Sequence, residues 1–245
     1  MINKSLIGFC LLLLISTTGF SQFYTGLRLG YAYSNQFVTV NTGTTYSGRS
    51  TSSSVYLGNG RSGLDFGMYG GYFFDNIWCL QTEFEFIPTG TRFEDDPSFN
   101  FNINYLQWNP VLLRVFPGDP EETYYYGITG FGLGFPVYSR FNCPGSQFPN
   151  PYDPFEVIKI DYVPLNNYVN SPNVSFILGA GLSIPAGNGK IEFEARYYGG
   201  LSDIYNADFK NDFLGVNIPV KSVVLSLRGG YILYLKKPAT KGAYF

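Results

Sequence analysis

The chain has 245 residues, a formal net charge of −2 and no histidine. Since nucleic-acid binding relies on clustered Lys and Arg, this charge balance argues against a nucleic-acid partner. The missing histidine removes the commonest general base and transition-metal ligand, so we predict no enzyme activity, no metal site and no cofactor.

Residues 1–21 have the pattern of a secretory signal peptide. Lys4 gives a positive start, residues 6–15 are apolar or small, and Gly19 and Ser21 precede a cleavage site before Gln22. This stretch is too short to span a bilayer, and a lipoprotein signal is excluded because Cys10 lies inside the apolar core. We therefore predict export by a cleaved signal peptide, with residues 22–245 as the mature domain.

Eight segments of the mature chain alternate apolar and polar residues with the period of two that a half-buried strand shows. The predicted strands are 23–34, 63–74, 77–91, 103–116, 123–138, 173–184, 190–200 and 220–235. Short turns alternate with the long loops 35–62, 92–102, 139–172 and 201–219. This arrangement predicts an all-β fold, namely an eight-stranded antiparallel up-and-down transmembrane β-barrel in the outer membrane of a Gram-negative cell.

The two faces of the predicted strands differ in character. In 190–200, one face carries Ile191, Phe193 and Tyr197, while the other carries two glutamates and an arginine. A soluble barrel would place its charges outside and its apolar residues around a ligand. The apolar face is too extensive to be left in water, so we expect it to contact outer-membrane lipid. An exported β-sandwich is the alternative.

Two local features refine the strand prediction. Gln107 and Asn109 lie on one face of the strand, and strict alternation would place Arg114 on the opposite face. We therefore predict a bulge near Pro110, which lets all three side chains point inward. Aromatic residues near the short-turn ends predict an interfacial girdle. Its members are Phe23, Tyr24, Phe73, Phe74, Trp78, Phe116, Tyr124 and Tyr234.

The runs 104–114, 116–118 and 124–127, together with 192–204, resemble the PorT-like "porin family" outer-membrane β-barrel domain. The glycine-rich segment 67–72 is similar to the second strand of that family. This resemblance implies an integral outer-membrane protein of a group in which some relatives serve protein secretion.

Nine charged residues are predicted to point into the barrel and to form a lumen ion-pair network. They are Arg28, Asp65, Glu83, Glu85, Arg114, Glu192, Glu194, Arg196 and Arg228. Eight strands enclose just enough space for side chains, so these charges favour a plug of ion pairs. A selective aqueous pore is the alternative. The carboxylates at i and i+2 share one face of one strand, which favours structural filling over catalysis.

The remaining possibilities concern the loops and the two cysteines of the mature chain. The Ser/Thr/Gly/Asn-rich loop 35–62 and the Pro- and aromatic-rich loop 139–172 offer surfaces for a protein partner. The alternatives are a mobile solvated loop for 35–62 and a cap over the barrel mouth for 139–172. Cys79 and Cys143 could form a disulfide or remain free. The functional prediction is a structural or interaction barrel acting through its extracellular loops, linked to secretion or envelope machinery. The alternative is a small-solute porin or channel.

Overall fold

The computed structural model describes residues 22–44, 50–56, 58–74, 77–93, 98–115, 122–150, 153–210 and 218–234; the predicted signal peptide lies outside them. The strands are β1 (Gln22–Thr44), β2 (Ser50–Tyr56), β3 (Asn59–Phe73), β4 (Trp78–Arg92), β5 (Asn100–Val115), β6 (Tyr124–Asn150), β7 (Asp153–Pro164), β8 (Asn173–Ala186), β9 (Gly189–Gly200) and β10 (Val220–Tyr234). A three-residue helix, α1 (Ala207–Phe209), precedes β10. Within the described ranges, no helix is both long and apolar enough to cross a membrane.

Eight of these strands form a closed wall. Each pairs antiparallel with the next in the order β1, β3, β4, β5, β6, β8, β9, β10, and β10 pairs with β1 between Tyr24↔Tyr234 and Val38↔Val220. Closure matters because lipid offers no hydrogen bonds to an unpaired strand edge. The predicted eight-stranded antiparallel barrel is confirmed.

The prediction that 35–62 and 139–172 are loops is wrong. Beyond the last pair with β3, Ser34↔Arg61, strand β1 continues and pairs with β2. Strand β6 likewise continues past β8 and pairs with β7, as far as Asn150↔Asp153. Both segments have the polar or proline-rich composition of loops. Each nevertheless has an antiparallel neighbour that satisfies its backbone groups, so the two segments form hairpins that extend the barrel wall.

The predicted bulge near Pro110 is confirmed. Gln81 pairs with Leu112 and Glu83 pairs with Asn109, so two residues of β5 face one residue of β4. Proline fits here because it has no N–H to leave unpaired. The extra residue restores the inward direction of the rest of the strand, and Arg114 is fully buried.

The outward face is apolar, as predicted. Phe193 is 54% exposed on β9, and Leu227 is 71% exposed on β10. Aromatic rings pair across neighbouring strands, for example Phe84 and Trp108, whose ring centroids lie 6.1 Å apart. These cross-strand contacts cover the backbone of the wall with a surface suited to lipid.

The girdle prediction is only partly right. Phe23, Phe74 and Trp78 are exposed, but Tyr24, Phe73 and Tyr124 are buried inside the barrel, and Tyr234 packs against them. The reason is strand alternation: Tyr24 has the same parity as the inward-facing Arg28. Phe116 lies outside the described residues.

Candidate functional site

The nine predicted charges all lie inside the barrel, and each is at most 7% exposed. They come from β1, β3, β4, β5, β9 and β10, so the set assembles only when the wall closes. Burying an unpaired charge costs a large amount of free energy, so these nine residues are stable inside the barrel only through contacts with one another and with other polar groups.

Arg196 is the centre of the network. Its Nη2 donates to Glu83 Oε1 at 2.7 Å, and its Nη1 donates to the other oxygen of the same carboxylate. It also pairs with Glu194 on its own strand and lies 3.3 Å from Glu85. The planar guanidinium fork suits such bidentate pairing, which fixes the orientation of both groups.

Arg28 and Arg228 extend the network across the lumen. Arg28 Nη1 lies 2.9 Å from Glu83 Oε1 and 3.2 Å from Glu194 Oε1. Arg228 Nε lies 3.1 Å from Asp65 Oδ2, and its Nη1 pairs with a glutamate on β4. Both arginines therefore connect strands that are not neighbours in the wall.

Arg114 forms a second centre, nearer the short turns. It pairs with Glu192 and donates from Nη1 to Gln81 Oε1 at 3.1 Å. Its Cζ lies 3.7 Å from the ring centroid of Tyr126, so one face of the guanidinium is covered by an aromatic ring.

Neutral side chains complete the network, and most of them were missed by the sequence analysis. Three tyrosine hydroxyls donate to glutamates: Tyr69 to Glu192 at 2.9 Å, Tyr126 to Glu194 at 3.0 Å and Tyr198 to Glu85 at 2.8 Å. Asn109 Nδ2 donates to Glu83 and Glu85 at 2.9 and 3.0 Å. The available signal was parity, because Tyr198 follows Arg196 by two residues and so shares its face.

Lys190 is a further inward charge that the sequence analysis omitted. It is 2% exposed, and its Nζ donates to the carbonyl of Glu122 at 2.7 Å. The same Nζ lies 4.0 Å from the ring centroid of Tyr124. Since Lys190 has the same parity as Glu192, alternation alone would have placed it inside.

Below the ion pairs, at the short-turn end, the interior is filled by a cluster that we call the turn-end cluster. Its buried members are Tyr24, Tyr69, Phe73, Cys79, Tyr124, Tyr126 and Ile232. The Tyr24 hydroxyl donates to Gln81 Oε1 at 2.5 Å, which links the cluster to the charged layer. Cys79 and Cys143 are both buried free thiols, so they do not form the disulfide that the sequence left open.

The opposite end of the interior contains a second group of buried residues, which we call the loop-end cluster. Its buried members are Phe101, Ile103, Tyr105, Leu165, Val169, Ile204, Tyr205, Phe209 and Val220. Tyr205 donates to Gln36 Oε1 at 3.0 Å and stacks on Phe209, with ring centroids 4.3 Å apart. Burial raises the pKa of the Tyr205 hydroxyl, which therefore acts as a neutral donor.

The described side chains of the charged layer are tightly packed. The space between Arg28, Tyr126, Glu192 and Arg228 has no room for a water molecule. Within the described part of the chain, no group of three or more His, Cys, Asp or Glu side chains could hold a metal ion. In the carboxylate pairs Glu83/Glu85 and Glu192/Glu194, each glutamate forms an ion pair with an arginine. None of these four carboxylates is therefore free for acid–base catalysis.

The chain is similar to one protein family and to several solved structures. Residues 20–206 match the family described as "Outer membrane protein beta-barrel domain". Among solved structures, the chain is similar to Ail of Yersinia pestis (17% identity, 86% of this chain and 99% of Ail, TM-score 0.40). It is also similar to Neisserial surface protein A (12% identity, 86% and 96% of the two chains, TM-score 0.44). The search of curated proteins found no match.

Proposed function

This chain belongs to the outer membrane protein β-barrel domain family, and we propose that it is a non-conducting member whose plugged lumen anchors two long hairpins for contacts outside the membrane. The proposal has two parts, a closed interior and a displayed surface. The closed interior distinguishes this proposal from a small-solute channel. The displayed surface supplies the proposed function, which is binding a partner.

The observation that carries the closed interior is the continuity of its filling. The turn-end cluster, the charged layer and the loop-end cluster follow one another along the barrel axis. In the charged layer, four arginines are tied to five carboxylates. Such contacts across a narrow interior leave little continuous water, so a solute would have to break ion pairs in order to pass.

The displayed surface is supported by the two hairpins, β1–β2 and β6–β7. Both extend the wall at the end opposite to the short turns and to the termini of the described chain. In outer-membrane barrels the longer connections usually face the cell exterior, so we place these hairpins outside. Strand pairing makes them stiffer platforms than the predicted loops, which favours contact with a protein partner.

The resemblance to the PorT-like family extends the proposal to a role attached to secretion or envelope machinery. Affinity isolation of the detergent-extracted protein, followed by identification of co-purifying chains, tests this extension. We expect an envelope protein that is lost when residues 39–56 are replaced by a short turn. A barrel that isolates alone in both forms would contradict it.

Planar-bilayer conductance tests the closed interior. We expect near-zero current from the wild-type barrel and a steady leak after joint replacement Glu192→Ala, Glu194→Ala and Arg196→Ala, because the ion pairs made by these three residues are then gone and their side chains no longer fill the lumen. The matched control on the same strand is Phe193→Ala with Tyr197→Ala, which changes only the outward face and should remain silent.

The strand signal in circular dichroism should be retained by both variants, so that the currents are compared between folded barrels. A wild-type protein that already passes steady current, unchanged by the triple replacement, would favour the small-solute channel.

A further inference from the structure

The outer side of β4, β5 and β6 changes from apolar to polar over three steps of the strand pairing. Toward the loop end, the rows on this side read Phe86–Leu106–Phe135, then Pro88–Asn104–Tyr138, then Gly90–Asn102–Arg140, then Arg92–Asn100–Asn142, with Pro88 and Gly90 buried. Leu106 is 45% exposed. The first of these rows therefore marks the upper edge of the lipid-facing belt.

Two arginines are held in fixed positions directly above that edge. Arg61 Nη1 donates to the carbonyl of Thr89 at 2.9 Å and to Asn104 Oδ1 at 3.2 Å. Arg140 Cζ lies 5.5 Å from the ring centroid of Tyr138 and 5.8 Å from that of Tyr162. Both guanidiniums are thus oriented by neighbours that carry no formal charge.

No described carboxylate pairs with this group of arginines. None of the ion pairs between described residues includes Arg61, Arg92 or Arg140. The Nε atom of Arg140 is shielded from solvent and has no hydrogen-bond partner in the described chain. The guanidiniums of Arg92 and Arg140 are near enough to Arg61 to interact with it electrostatically.

This situation is the opposite of the lumen, where every arginine of the network has a carboxylate partner. A half-buried guanidinium without a carboxylate partner attracts an anion, and planar guanidinium forks match the oxygens of phosphate.

A row of asparagines surrounds the arginines. Asn102 Nδ2 and Asn142 Nδ2 both donate to Asn100 Oδ1, at 2.6 and 2.7 Å. These amides keep the surface polar without adding negative charge, so nothing described in this row competes with an incoming anion. They also supply the kind of neutral hydrogen-bonding surface that accompanies a phosphate in a lipid headgroup.

We propose that Arg61, Arg92 and Arg140 form a binding site for the phosphate of a membrane-lipid headgroup in the leaflet at the loop end. The acyl chains of that lipid lie on the adjoining apolar row that contains Leu106 and Phe135. A soluble polyanion would use only the arginines. A phosphorylated lipid uses both surfaces at once, because they adjoin on the same strands. The site concerns the outer wall, so it does not depend on whether the lumen conducts.

Native mass spectrometry of the full, detergent-extracted chain tests the site. The probes are lipid A, the same lipid with its phosphates removed, inorganic phosphate, and a sulfated oligosaccharide. We expect wild-type protein to retain lipid A at least about tenfold better than the dephosphorylated lipid, since hydrogen bonds between charged partners are the strong ones. The joint change Arg61→Gln and Arg140→Gln should remove that preference.

The matched control is Lys221→Gln, a basic residue at the loop end of β10, outside the arginine group; it should keep the wild-type preference. Arg140→Lys retains the charge and loses the fork, so an intermediate preference is expected. Equal retention of the two lipids by wild type, or a preference that survives the double change, would overturn the proposal. Arginine-dependent binding of the sulfated oligosaccharide or of inorganic phosphate, without a preference for lipid A, would overturn it as well.

Discussion

The buried clusters at the two ends of the barrel interior are built from different parts of the chain. Every member of the turn-end cluster lies on a wall strand, such as Tyr24 on β1 and Tyr124 on β6. The loop-end cluster also draws on connecting segments, with Leu165 and Val169 before β8 and Phe209 on α1 before β10. The turn-end cluster is therefore as rigid as the wall strands that carry it. The loop-end cluster depends also on connecting segments that pack against the wall.

This difference predicts where the interior opens first. Moving a side chain of the turn-end cluster requires a change in the ladder of a lipid-embedded strand. The connecting segments of the loop-end cluster are held by fewer bonds, such as Tyr205 Oη to Gln36 and Asn206 N to the carbonyl of Tyr168 at 2.8 Å. Such segments can open locally while the rest of the protein stays folded.

The largest expected effect contrasts Tyr24→Ala with Phe209→Ala. Emptying a buried aromatic position in the firm end should lower the free energy of unfolding by about 3–5 kcal/mol, because the wall cannot collapse into the cavity. Phe209→Ala should cost less in a reversible unfolding titration and instead speed amide hydrogen exchange at residues 204–210. Equal losses from both changes, without faster exchange, would remove the distinction between the two ends.

The stability of the turn-end cluster depends on wall strands whose outward face contacts lipid. Substitutions on the two faces of β9 test that assignment of faces. Phe193→Arg should lower the free energy of unfolding by about 2–4 kcal/mol, because it places a charge in lipid near the middle of the outward series. Glu192→Gln should cost less, since the amide can still accept from Tyr69 and Arg114. Similar losses in a denaturant titration in lipid would contradict the assignment of the two faces.

The smallest expected effect concerns the N-cap of α1. Asn206 Oδ1 accepts from the backbone N–H of Phe209 at 3.0 Å, and Asn206 Nδ2 donates to the carbonyl of Asn167 at 2.8 Å. Asn206→Ala should cost about 1 kcal/mol of local stability, read from amide exchange at the loop-end cluster. Asn206→Asp retains the cap acceptor and serves as the control. Unchanged exchange in the alanine variant would show that the cap does not hold this end closed.

The face of each wall residue could be predicted from the sequence, because alternation is a local property of a strand. Alternation placed Phe193 outside and Glu192 inside. The difference in parity between Asn109 and Arg114 was sufficient to locate the bulge at Pro110. The same rule would have placed Tyr24 inside, but the expectation of an interfacial girdle was given more weight than its parity.

Contacts across the lumen could not be predicted in the same way. Which carboxylate meets Arg196 depends on strand stagger and barrel closure, and neither leaves a periodic signal in the sequence. The hairpins were missed because their Ser-, Gly- and Pro-rich composition is typical of loops, and only the neighbouring strand makes them extended. Tyr205 of the loop-end cluster contacts Gln36, 169 positions away in the chain, and this contact exists only in the closed barrel.

Closure by β1 and β10 also determines the order in which the protein can be made. Arg28 and Glu194 are separated by 166 positions in the chain, so their bond must wait until the whole segment between them has been exported. Contacts between such distant residues are slow to form. Until β10 meets β1, the unfinished sheet has two open edges, which are sites for aggregation. The chain therefore needs protection between export and insertion, and that requirement follows from the position of its seam.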